Sequence, residues 1–274
     1  TIEGDIMLAG GDDTLIANGA IIGDVDMGDG DNDVQLGFSL QGALSFGSGT
    51  DSFINTTGIA QGNINMGGGA DDFENQSFLT GDIDLGDGAD TGTNAGEITG
   101  NVDLGDGANM FTNEATALGV TNPGTITGNV MGGVDGDIVT NSGEITGQIV
   151  LGDGADFYFG SGATAAATVH GEDGHDNLTG SGFDDVLDGG AGNDVLAGGG
   201  GQDRLINGGG TANILTGGED EYVFVFDVAS SGGTITDFQH GLDTIAFEGL
   251  WSDQYLVRIF VDGDLAFASS GMRA

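Results

Sequence analysis

Apolar and polar residues alternate with a period of two along most of this chain, and the alternating stretches themselves return on a fixed beat. Ile98, Gly100, Val102 and Leu104 fall on one side; Thr99, Asn101 and Asp103 fall on the other. Leu79, Gly81, Ile83 and Leu85 make the same set earlier, and Ile145, Gly147, Ile149 and Leu151 make it later. Alternation over so many residues predicts a half-buried strand, not a helix. The glycine inside the set recurs at Gly4, Gly23, Gly42, Gly62, Gly81, Gly100, Gly128 and Gly147, in steps of 19, 19, 20, 19, 19, 28 and 19 residues. The long step holds residues 113–123, where a loop is inserted before the period resumes. A second short strand is expected after each Gly-Asp-Gly-Ala-Asp type of turn, with Phe53, Phe73, Phe111 and Tyr158 at matching positions.

Two strands and two turns in such a unit make one coil of a narrow solenoid, and stacking buries a core that no single coil could bury. Asn55, Asn75, Asn94, Asn113 and Asn141 align at one turn. Stacked asparagines can hydrogen-bond from coil to coil, which is a structural role. From residue 171 the period becomes nine: Gly171 to Leu178, Gly180 to Leu187, Gly189 to Leu196 and Gly198 to Leu205, then a degenerate copy from Gly208 to Leu215. Two such units make 18 residues, almost the coil length of the first part. The expected fold is therefore all-β: one continuous parallel β-solenoid of about eleven coils, roughly 50 Å long at the usual strand spacing.

After Glu219 glycine thins out and large aromatic residues gather. Strands are expected at 222–226, 234–238, 243–247, 255–261 and 264–268, forming a small β cap on the solenoid. The expected organisation is thus a solenoid over 1–170, a nonapeptide roll over 171–218 and a cap over 219–274.

Charge changes the picture next. The 274 residues include 44 Asp and Glu against three Arg (Arg204, Arg258 and Arg273), for a formal net charge of -41. Nucleic acid and anionic membranes would repel such a chain, since both need basic residues to neutralise phosphate. The single Pro excludes a collagen helix, and the absence of Cys excludes a disulfide scaffold. No apolar run reaches membrane-spanning length. Thr1 opens without a basic region and apolar core, so no signal peptide is expected in these residues.

The acids concentrate on turns. A Gly-x-Gly-x-Asp turn exposes backbone carbonyls around one carboxylate, which suits the oxygen-rich, irregular shell of Ca²⁺ better than the strict octahedron of Mg²⁺. Zinc lacks its usual ligands, because there is no Cys and His170, His175 and His240 are not spaced as a site. Stacked coils place equivalent Asp residues one strand spacing apart, at a cost on the order of 0.9 kcal/mol per pair even in water's dielectric. Calcium is therefore expected to decide between folded and unfolded.

Residues 171–216 resemble the RTX nonapeptide Gly-Gly-x-Gly-x-Asp-x-U-x, where U is a large apolar residue. The resemblance implies a calcium-loaded parallel β-roll, type I secretion and folding outside the cell. It implies that Asp176 and Asp194 share ions on one edge and Asp185 and Asp203 on the other; Asn213 replaces the expected Asp in the last copy. Residues 234–247 resemble the segment that follows the roll in serralysin-type proteins, which makes Asp237 and Asp243 further candidates. The 19-residue half resembles the solenoid of RTX adhesins, including ice-binding ones. By that analogy Asp13, Asn32, Asp51, Asp71, Asp90, Asn109, Asp137 and Asp156 hold the ligand position.

Three classes of function follow. The first is a secreted structural or adhesive protein, a filament, surface-layer or biofilm-matrix subunit, because repeat and cap consume the chain. Ile2–Leu8 already belongs to a first coil, whose unpaired edge invites a second copy and head-to-tail growth. The second is an enzyme. The zinc-protease His pair and a serine nucleophile elbow are absent, and three late Arg residues poorly suit a polysaccharide lyase, so none is expected. The third is an ice- or glycan-binding adhesin fragment using a Thr/Asn array at Thr80, Thr99, Asn101, Thr127, Asn129 and Thr146, which Asp24, Asp26, Asp82 and Asp84 interrupt.

Overall fold

A computed structural model describes residues 1–115, 124–227, 230 and 232–248, together with the backbone of Leu256–Val261 and Asp264–Ser270. Most of the expected insertion, and Trp251 and Tyr255 of the expected cap, lie outside the described residues.

The described chain is all-β and winds as a parallel solenoid. Three long sheets run along it. The first face has 8 strands from Ile2–Glu3 to Glu144–Ile145; the second has 13 from Ile6–Met7 to Thr244–Phe247; the third has 12 from Thr14–Ala17 to Thr234–Ile235. Each strand pairs in parallel with its counterpart one coil away, as Ile83 does with Val102 and Phe73 with Phe53.

The alternating stretch expected to be one strand is two. Glu97–Thr99 lies on the first face and Val102–Asp103 on the second, with a corner at Gly100 between them. Coils of the first half therefore carry three main strands, not two. Glycine makes the corner possible. Gly23, Gly42, Gly62 and Gly81 hold φ between 142° and 154°, and a Cβ on Gly42 would run into the carbonyl of Gly23 in the coil beneath. A larger residue would push the coils apart.

Inward residues form apolar columns, one per face. Leu40, Leu79, Ile98 and Ile126 belong to the first; Leu44, Ile64, Ile83 and Val102 to the second; Phe53, Phe73, Phe111 and Tyr158 to the third, all buried. Phe53 and Phe73 stack with centroids 5.5 Å apart. At the end of the third-face strands the asparagine ladder forms as expected. Nδ2 of Asn55, Asn75, Asn94 and Asn113 donates to Oδ1 of the next asparagine at 2.8, 2.8, 2.8 and 2.9 Å, reaching Asn141.

The first face stops at Glu144–Ile145, and from there each coil has two main strands. Nonapeptide strands alternate between the second face (Val186–Asp188, Arg204–Ile206) and the third (Asn177–Thr179, Val195–Ala197, Ile214–Thr216). With one face gone the core narrows, and Leu178, Leu187, Leu196, Leu205 and Leu215 suffice to fill it.

The strands expected to begin a separate cap continue the solenoid instead. Val223–Phe226 and Thr244–Phe247 extend the second face, and Thr234–Ile235 extends the third, all in parallel register. Aromatic residues continue the core along the same axis: Phe224 stands in register with Leu205, Tyr222 and Phe224 are buried, and Phe224 meets Phe238 at 6.4 Å. The solenoid is accordingly longer than eleven coils. Leu256–Val261 and Asp264–Ser270 form an antiparallel hairpin of their own. No helix among the described residues is long and apolar enough to cross a membrane.

Candidate metal centre

Eleven of the predicted ligand positions fall into one unbroken file along the solenoid. Each backbone N–H donates to Oδ1 of the equivalent residue in the next coil. Asp13 donates to Asn32 at 3.1 Å, Asn32 to Asp51 at 2.8 Å, Asp51 to Asp71 at 2.7 Å and Asp71 to Asp90 at 2.8 Å. Asp90 then donates to Asn109 at 2.9 Å, Asn109 to Asp137 at 2.9 Å and Asp137 to Asp156 at 2.7 Å. The file crosses into the roll without a break: Asp156 to Asp176 at 2.9 Å, Asp176 to Asp194 at 3.0 Å and Asp194 to Asn213 at 2.8 Å. It stands where the chain enters each third-face strand, because the residue after each Asp or Asn begins, or directly precedes, that strand.

The first carboxylate oxygen is thus occupied by a backbone donor. The second is not. Oδ2 of Asp51, Asp71, Asp90, Asp156, Asp176, Asp194 and Asp203 is buried without a hydrogen-bond partner. A buried acceptor left in that state costs about 1–3 kcal/mol, and more when charged. Burial pushes the Asp71 and Asp156 carboxyls up to about 7, with neighbouring carboxylates in the file adding to the effect. Burial likewise raises Asp137, Asp176 and Asp203 to about 6, and raises Asp51, Asp90 and Asp194. Positive charge is what the site lacks.

Glycine keeps room beside those oxygens. A Cβ on Gly189 would stand 2.7 Å from Asp194 Oδ2, and Cβ atoms on Gly171 and Gly198 would crowd the same oxygen of Asp176 and Asp203. The donor set is a carboxylate oxygen with backbone carbonyls, hard ligands that fit Ca²⁺. Among the described residues no three His, Asp or Glu side chains gather as a metal cluster. An ion here would rely on one or two carboxylates with carbonyls of the glycine turns.

The second edge exists in the roll, where Ala167 N–H donates to Asp185 at 2.6 Å and Asp185 N–H to Asp203 at 2.7 Å. The expected pairs, Asp176 with Asp194 and Asp185 with Asp203, are therefore neighbours in successive coils. Not every predicted position carries a free oxygen. Asp185 Oδ2 accepts from the N–H and hydroxyl of Ser181 at 2.5 and 2.8 Å. Asp237 accepts from Gly217 and Gly218 N–H, and Asp243 from Tyr222 and Gln239 N–H. These last two tie the final coils together through the backbone. Asp137 Oδ2 has a long contact of 3.4 Å from Gly133 N–H, and Asp13 is only half-buried.

Asn32, Asn109 and Asn213 stand at ligand positions where the repeat expects Asp, and their second side-chain atom is a donor. Asn32 Nδ2 donates to Gly30 and Gly28 carbonyls at 2.9 and 3.2 Å, and Asn109 Nδ2 to Gly107 and Gly105 carbonyls at 2.9 and 3.3 Å. Asn213 Nδ2 donates to Asn207 and Gly209 carbonyls at 2.5 and 2.6 Å.

A parallel solenoid with glycine–carboxylate turns in register is a calcium-binding β-roll architecture. The comparison with protein families makes the class specific: residues 170–205 match the RTX calcium-binding nonapeptide repeat in 4 copies. The chain carries an RTX β-roll, and Ca²⁺ at multiple sites is its cofactor. No curated protein sequence matches the chain.

Proposed function

We propose that this chain is a secreted, calcium-stabilised structural protein that folds on meeting Ca²⁺ outside the cell and associates end to end into a filament, matrix or surface layer. The observation that carries the calcium-dependent part is the set of seven buried carboxylate oxygens without donors, six in the file and Asp203 on the second edge. Without a cation these oxygens, in a chain of charge -41, oppose stacking; with one, each becomes a coil-to-coil tie. A cation with Kd a hundredfold below its concentration adds about 2.7 kcal/mol per site, which over several sites selects the folded state. A compartment poor in calcium would leave the chain extended and exportable, as type I secretion requires.

End-to-end growth is supported by the parallel ladders. Strands Ile2–Glu3, Ile6–Met7 and Thr14–Ala17 pair on one side, so their other edge suits a further coil, whether of this chain or of a second copy. We assign no catalytic role. The buried acids are used in turns, and Arg204 is engaged with Glu248 at 2.7 Å. Circular dichroism with Ca²⁺ and with EGTA tests the calcium reading, and a strand signal unaffected by EGTA would sink it. Electron microscopy of the loaded protein tests assembly; monomers alone at high concentration would remove that part.

A second reading has one observation in its favour. Thr80, Thr99, Thr127 and Thr146 lie exposed along the first face, with Thr80 paired directly to Thr99. This row would serve an adhesin fragment that binds ice or glycan. Thermal hysteresis and glycan-array binding test it, and silence in both discards it.

A further inference from the structure

The file of aspartates is interrupted three times by asparagine, at Asn32, Asn109 and Asn213. In every case Oδ1 keeps the same partner as an aspartate would: the N–H of Asp13, Asp90 or Asp194 in the preceding coil. The difference lies at one atom. Where Asp71 or Asp90 presents a buried oxygen with no donor, Asn32 and Asn109 present an NH₂ group with two donors. Two turn carbonyls receive them, those four and two residues earlier, Gly28 and Gly30 in one coil and Gly105 and Gly107 in the other. The glycines that stand four and two residues before Asp71 and Asp90 are Gly67 and Gly69, and Gly86 and Gly88.

We propose that Asn32, Asn109 and Asn213 close their turns without a metal ion, the amide nitrogen standing where the aspartate turns take calcium. The inference rests on the calcium reading of the aspartate turns. An aspartate turn brings together acceptors only, and a cation resolves it. In an asparagine turn the amide nitrogen, not a cation, faces the two glycine carbonyls, and at Asn32 it also lies 2.9 Å from Asp51 Oδ1. A cation entering it would have to displace the NH₂ group. Rotating the amide to offer its oxygen would break the ladder bond to the preceding coil, and one negative charge fewer would hold the ion. The solenoid is thus built with metal-free coils at fixed places. Asp51, Asp71 and Asp90 lie between the first two, and Asp137, Asp156, Asp176 and Asp194 between the last two.

The experiment is a count of bound calcium on the full chain by equilibrium dialysis with radioactive Ca²⁺, comparing wild type with Asn32→Asp, Asn109→Asp, Asp71→Asn and Asp71→Ala. Asn32→Asp and Asn109→Asp should each bind one ion more than wild type. Both Asp71 variants should bind one fewer. Only Asp71→Asn should also gain protection from amide hydrogen exchange around residues 67–71 at the lowest calcium concentration that keeps the chain folded, because its new NH₂ group completes the turn. Wild-type residues 28–32 and 105–109 should show that protection already. Unchanged counts in both Asn→Asp variants, or equal exchange in Asp71→Asn and Asp71→Ala, would overturn the inference. If an Asn→Asp variant fails to fold, the Asp71 pair still decides. Wild type that binds no calcium would overturn the underlying calcium reading itself, an outcome distinguishable from the others.

Discussion

In the first half of the molecule a coil takes about 19 residues, three main strands and one carboxylate turn; in the nonapeptide roll it takes 18 residues, two main strands and two such turns. One edge is common to both, since the file from Asp13 to Asn213 crosses the junction with its hydrogen bonds intact. The other edge differs. The end of a third-face strand leads, in the first half, through the asparagine ladder into a first-face strand. In the roll it leads into the turn of Asp185 and Asp203. An additional sheet with neutral amide bonding and an acidic turn are therefore alternative ways of closing the same corner. The first leaves a buried oxygen without a donor only at Asn55, where the ladder starts. The second leaves Asp203 Oδ2 without a donor.

The largest test of this difference is metal removal followed region by region. Hydrogen exchange in EGTA should expose the backbone of 168–218 throughout, while 52–113, held by the ladder and a wider core, retains partial protection. Uniform loss across both regions would remove the distinction and show that the stack unfolds as one unit.

Acidity offers the next test. Asp71 and Asp156 are raised to about 7, and Asp137, Asp176 and Asp203 to about 6, against an ordinary value of 3.8 in the unfolded chain. The metal-free folded state thus binds protons more tightly than the unfolded state, and unfolding releases them. Its stability must rise as pH falls from about 7 towards 4, and the penalty is fully present above 7. Urea titrations in EGTA at pH 5 and pH 8 should give the higher midpoint at pH 5. In saturating calcium the order should reverse, since protons then compete with the ion.

Core size distinguishes the halves more locally. In the three-faced half Phe53, Phe73 and Phe111 share their column with Leu15, Val34, Gly92 and Val139, and Leu178, Leu196 and Leu215 continue it in the roll. Phe73→Ala should cost about 3–5 kcal/mol by cavity formation, and Leu196→Phe about 1–3 kcal/mol by overpacking the narrower roll. Chemical denaturation in calcium measures both. A neutral Leu196→Phe would mean the two cores are equally wide.

Much of this was legible from spacing. The recurrence of Asp51, Asp71 and Asp90, and of Phe53, Phe73 and Phe111, places equivalent residues in equivalent coils, and they stack accordingly. The corner was hidden because Gly100, having no side chain, passes for an inward residue in a period-two count. Only its backbone shows that the chain turns there. The continuation past Glu219 was hidden because Val223, Phe224 and Val225 keep the register of Arg204–Ile206 without the glycine spacing of the nonapeptides. The bonding of the asparagine turns was not legible in spacing, because Asp and Asn have the same shape and recurrence does not show that Asn32 and Asn109 aim an NH₂ group at glycine carbonyls.

The asparagine ladder gives the smallest and most discriminating test. Asn94 accepts from Asn75 and donates to Asn113, both at 2.8 Å, and all three are buried. Asn94→Ala leaves the Asn75 NH₂ group without this acceptor and Asn113 Oδ1 without this donor. Stranding a buried partner costs about 1–3 kcal/mol, so the loss should fall in that range. Because the ladder bonds amide to amide and contains no carboxylate, the cost should be the same in calcium and at pH 5 without it. Asp90→Ala, at the other end of the same strand, should lose most of its effect when calcium is withdrawn. A double-mutant cycle of the two, measured in both conditions, separates the closures. An Asn94→Ala cost that depends on calcium would mean that the ladder and the metal edge are one network rather than two.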